Sequence, residues 1–83
     1  MQYDKARETF EKQRSRFGIP ENAVFDELEK RMVEIELPNQ NAGAKRYGDV
    51  LAWVCSYYDK DVMRLHYLTA TMDGEVVRYD RTT

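Results

Sequence analysis

Two glycines, one cysteine, one histidine and a short acidic run are the residues of this chain that could do chemistry. Gly43 and Gly48 stand five apart, the glycine spacing of a phosphate-binding G-x-x-x-x-G-K-[ST] loop. The residues that follow are Asp49 and Val50 instead of Lys and Ser or Thr. A carboxylate at a helix N-terminus fills the anion position itself and repels phosphate. Gly48 therefore reads as a turn and Asp49 as a helix cap.

Cys55 is the only cysteine and His66 the only histidine. A reactive thiolate needs exposure and a cationic or dipolar setting. Cys55 instead falls inside the apolar run "VLAWVCSYY" and reads as an inert buried thiol. A zinc site usually wants three or four His and Cys ligands. The run "DKD" offers Asp59 and Asp61 without the glycine and distal glutamate of a calcium loop. An enzyme built on His66 would need one of these aspartates within hydrogen-bond reach. The reading is a non-enzyme with no catalytic residue, metal or cofactor.

Two binding readings remain. Basic and aromatic residues interleave at Lys45, Arg46 and Tyr47, and again through Arg64, His66, Tyr67, Arg78, Tyr79 and Arg81. Arginines contact phosphates and tyrosines stack on bases. On this reading Lys45, Arg46, Tyr47, Arg64 and Arg81 bind RNA or DNA. Against it, the net charge is −2, Asp73, Glu75 and Asp80 offset the tail arginines, and no RNA-recognition signature is present. The favoured reading is protein binding. Tyr, Arg and Met are enriched in interface cores, and this short chain has six Tyr and four Met. The expected contact is one face of a C-terminal hairpin, carrying Leu65, Tyr67, Thr69, Val76 and Arg78.

The elements that position these residues follow from periodicity. Tyr3, Ala6, Phe10 and Phe17 mark one face of a first helix over 3–17. It ends at "RFGIP", where Gly18 takes the left-handed position, Ile19 folds back and Pro20 blocks continuation. Val24, Phe25, Leu28, Met32 and Ile35 cluster at ~100° steps, which predicts a second helix from an Asn22 N-cap to Met32. "VEIEL", 33–37, alternates and is left between helix and a third short strand. Loop 38–48 leads to a third helix, Asp49 to Tyr58, whose apolar arc of roughly 200° makes it the spine of the fold. Residues 62–72 and 75–80 form a hairpin about a two-residue type I′ turn at Asp73-Gly74. Its expected core face holds Leu68, Ala70, Val77 and Tyr79.

The expected fold is thus α+β: two or three helices packed on a C-terminal antiparallel hairpin, in one domain, 1–83. With 42% hydrophobic and 34% charged residues, the chain is too apolar for disorder. It has no apolar run of membrane-spanning length. Its start, "MQYDKARETF", reads as no signal peptide. One cysteine suits a reducing compartment, so the expectation is a cytoplasmic protein. The function expected is a small inhibitor or adaptor of another protein, of the kind bacteria and their phages encode, with a homodimer as a further possibility.

Overall fold

Residues 3–17 form the only helical segment among those described by the computed structural model, which covers residues 1–37, 43 and 45–82. Helix α1 spans Tyr3–Gln13 and tightens into a 3-10 turn, Arg14–Phe17. Gly18 has φ +76°, Gly18 N–H donates to the Ser15 carbonyl, and Ile19 N–H donates to the Arg14 carbonyl. This is the stop expected from "RFGIP", and Ile19 folds back into the core.

Every later regular element among the described residues is a strand. β1 (Val24–Leu37), β2 (Arg46–Asp59), β3 (Arg64–Ala70) and β4 (Val76–Arg81) form one antiparallel sheet in the order β1-β2-β3-β4. The expected two or three helices on a hairpin are therefore replaced by one helix on a four-stranded sheet.

Both lost helices have a physical reason. The helical spacing of Phe25 and Leu28 comes from a β-bulge. The β1–β2 register slips between Phe25 and Glu27, so both side chains face α1 although three positions separate them. Further along, apolar residues change faces: Leu28 points to the helix, whereas Val33 and Ile35 belong to a second cluster on the opposite face. A bulge and a change of face together imitate a 3.6 period. Asn22 is no N-cap. Its Nδ2 donates to Asp61 Oδ2 at 2.7 Å and Asp59 Oδ1 at 3.3 Å.

The arc of β2 misled for another reason. Ala52 to Tyr57 is buried at every position, because both faces of this inner strand are covered. A short run apolar on both faces has no period to separate strand from helix, and here the β-branched and aromatic content was the better guide. Asp49, expected as a cap, lies in the strand opposite Glu34.

The hairpin is present with a longer loop. Thr71 N–H donates to the Glu75 carbonyl and Gly74 N–H to the Thr71 carbonyl, with Gly74 at φ +97°. This leaves three residues, Met72 to Gly74, in the loop. Thr69–Arg78, Leu68–Tyr79 and Tyr67–Asp80 pair as expected, but Ala70 meets Val76 rather than Val77. The slip turns Val76 onto the core under α1 and leaves Val77 outside.

One core cluster lies between α1 and the sheet, with Ala6, Phe10, Leu28, Trp53, Cys55, Tyr57, Leu68 and Ala70 among its members. The other face holds Val33, Ala52 and Val54, joined by Ile35, Val50 and Tyr67. No helix covers that face among the described residues. The sheet curls over it far enough for Arg78 Nη1 on β4 to donate to the Glu34 carbonyl on β1 at 2.9 Å. No helix among the described residues is long and apolar enough to cross a membrane.

Phe10 is fully buried beneath the helix. Phe10→Ala is expected to cost about 3–5 kcal/mol, comparable with the whole stability of a small domain. Urea unfolding followed by circular dichroism should show a variant largely unfolded in buffer.

Candidate interaction surface

The hairpin face expected to meet a partner is the inside of the curl. Thr69 is only 1% exposed. Tyr67 is half-buried and packs against the Val33, Ala52 and Val54 cluster. Leu65, half-buried, stands opposite Tyr58. Arg78 stays exposed, yet its Nε lies 2.9 Å from Asp80 Oδ2 and its Nη1 serves the Glu34 carbonyl. Val76 is on the opposite face. The structure thus brings Leu65, Tyr67, Thr69 and Arg78 to one face, where most of their surface is already used, and separates Val76 from them.

The basic candidates are split. Arg46 and Tyr47 begin β2, with Lys45 just before them, whereas Arg64 pairs with Asp59 at the other end of that strand and Arg81 pairs with His66. Roughly 40 Å of strand lies between the two groups at ~3.3 Å per residue. They do not form one patch.

His66 and Asp59 also hold different partners. Asp59 is buried, and its Oδ1 accepts hydrogen bonds from Asn22 Nδ2 and, at 3.0 Å, from Asp61 N–H. This carboxylate ties the β2–β3 turn to the segment before β1. The His66 ring is 3% exposed, shares a 2.7 Å hydrogen bond between Nδ1 and the Tyr79 hydroxyl, and leaves Nε2 without a partner among the described residues. Burial, reinforced by Arg64, lowers its pKa, against a smaller opposing pull from Asp59. Cys55 is fully buried, and burial pushes its thiol up to about 11. Among the described residues no three His, Cys, Asp or Glu side chains gather to hold a metal ion.

The surface that sequence reasoning missed is the outer side of the β1–β2 ribbon. Alternation on paired strands places Met32 opposite Leu51, Glu34 opposite Asp49 and Glu36 opposite Tyr47 on one face. Met32 is 62% exposed, Leu51 46% and Tyr47 56%. They continue the row of Lys30 and Trp53, where Lys30 Nζ sits 5.2 Å from the indole centroid. The signal was present in the alternation of "RMVEIEL", once 33–37 is joined to the preceding residues as one strand. Where the curl brings β1 towards β4, a cleft of about 450 Å³ opens between Glu34, Ile35, Glu36, Tyr47, Val77 and Arg78.

Comparison with protein-family models, with curated proteins and with solved structures yields no match to this chain.

Two outcomes follow from the buried titratable groups. The folded-state pKa of His66 lies below its ordinary value of 6.5, so as pH falls the unfolded chain takes up this proton first. Stability is complete above about pH 6.5 and declines as pH drops below it. Urea titrations at pH 7.5 and 5.5 should show that decline, and it should shrink in His66→Gln. Cys55 should resist a disulfide-exchange reagent at pH 8 in the native protein and react promptly in 6 M guanidinium, read as the rise in thiolate absorbance.

Proposed function

We propose that this chain is a non-catalytic protein-binding module, acting as an inhibitor or adaptor by covering part of another protein. The observation that carries the reading is the strip of Met32, Leu51 and Tyr47 on the outer face of the ribbon. Apolar and aromatic side chains this exposed, next to one another on paired strands, are the anchors that interfaces favour. Two further features support it. β1 is an edge strand fourteen residues long, with no neighbour beyond it in the sheet among the described residues, and such an edge can accept a partner's backbone. The single thiol is buried and unpaired, in keeping with work in a reducing cytoplasm.

The nucleic-acid reading has less support. Its cations lie at opposite ends of β2, and Tyr47, its candidate stacking residue, is flanked on the same face by Glu36 and Asp49. Carboxylates beside a stacking ring repel the phosphates that must lie there.

The test is affinity capture from the native host, with and without nuclease, followed by mass spectrometry. A protein partner retained after nuclease is expected. Leu51→Glu combined with Met32→Gln, exposed changes that spare the core, should weaken its capture at least tenfold while leaving the unfolding curve in place. Capture abolished by nuclease, or unchanged in the double variant, would overturn the proposal. Sedimentation of the purified protein tells whether the partner is a second copy.

A further inference from the structure

The cleft between the curled edges of the sheet has Glu34 and Glu36 in its wall, and among the described residues neither carboxylate forms an ion pair. Glu34 stands directly across from Asp49, and like charges directly opposite each other destabilise a sheet. Among the described residues none of Glu34, Glu36 and Asp49 forms an ion pair, and neither do Lys45 and Arg46. The cation in the cleft wall, Arg78, is neutralised by Asp80 at 2.9 Å and fixed by its bond to the Glu34 carbonyl. Residues 38–44, which connect the two strands, contain no Lys or Arg.

The remaining walls are not those of a metal site. Ile35 and Val77 are apolar, the Tyr47 ring is more than half exposed, and no three ligating side chains converge among the described residues. Carboxylates at the rim, aliphatic sides and an open aromatic face suit a cation on an apolar stem. A volume of about 450 Å³ suits a side chain or small ligand.

We infer that this cleft receives an arginine side chain of the bound protein, its guanidinium against Glu34 and Glu36 and its stem along the Tyr47 ring and Val77. Arginine fits better than lysine because its planar fork meets a carboxylate with two hydrogen bonds and also stacks on a ring. The inference rests on the protein-binding reading and adds the chemistry of the partner to it.

The probe is the peptide acetyl-Gly-Arg-Gly-amide, titrated into ¹⁵N-labelled full-length protein at low salt, beside its lysine and citrulline counterparts. Saturable shifts are expected at the amides of residues 34–36, 47 and 77. The citrulline peptide, which keeps the shape and loses the charge, should bind at least tenfold more weakly, and the lysine peptide severalfold more weakly. Glu34→Gln with Glu36→Gln should weaken the arginine peptide roughly tenfold and leave distant amides unmoved. Equal binding of the citrulline peptide, equal binding by the double variant, shifts elsewhere, or none at all would each overturn the inference. Should capture of the partner depend on Met32 and Leu51 while the peptide result is negative, the cleft fails and the protein-binding reading stands. The reverse pattern keeps the cation cleft and removes that reading.

Discussion

The contact on which the rest of this fold depends is the seat of the helix on Tyr57. This side chain is fully buried, and its hydroxyl donates to Glu11 Oε2 at 3.2 Å. Above its ring, 4.2 Å from the centroid, lies the guanidinium of Arg14. Arg14 Nη2 donates to the Pro20 carbonyl at 2.7 Å and the Ala23 carbonyl at 2.6 Å, and Nη1 lies 3.5 Å from Glu11 Oε2. One arginine therefore joins the end of the helical segment, the following turn, the approach to β1 and the C-terminal end of β2. Buried carbonyls that face no ladder partner need such donors. Arg7, set 4.0 Å over the Phe25 ring, holds the same helix to β1. Among the described residues this helix is the one that covers the core face of the sheet.

The opposite face is closed by curvature. A sheet twists because of backbone chirality, and a fourteen-residue ribbon carried past a seven-residue strand has room to coil. Gly48 sits where the coil is tight: a Cβ there would lie 2.8 Å from Leu37 Cδ1. The Arg78 bond to the Glu34 carbonyl then ties the β4 edge to β1. This closure uses Tyr67, Thr69 and Arg78, and it leaves Met32, Leu51 and Tyr47 exposed on the other side of the ribbon. Structure and proposed function are linked by that trade. The hairpin residues that look like anchors in sequence are largely occupied in folding, and Met32, Leu51 and Tyr47, which look like ordinary surface or core, stay exposed.

The legible parts of the fold were those fixed by local stereochemistry. The helix and its end at Gly18, Ile19 and Pro20 depend on φ preference and on a nearby chain reversal. The strands beside Gly74 depend on a turn residue. The inertness of Cys55 depends only on its apolar neighbours, and the structure keeps it buried. The strands β1 and β2 were not legible, since a bulge at Asp26, with Ser56 Oγ donating to its carboxylate at 2.9 Å, rewrote the period of one. Two covered faces erased the period of the other.

Sequence alone therefore determined the punctuation of this chain: the first helix and its stop, the hairpin, and a lone cysteine set in an apolar run. These are properties of neighbouring residues, and local sterics and charge act over that range. Tertiary structure alone decided that 24–37 and 46–59 pair as a ribbon, which hairpin face turns inward, and that Glu34, Glu36 and Tyr47 share a cleft with Val77 and Arg78. Those outcomes depend on register and curvature. They are set by hydrogen bonds and burial between residues from nine to more than forty positions apart, and local periodicity carries no signal of which strand meets which.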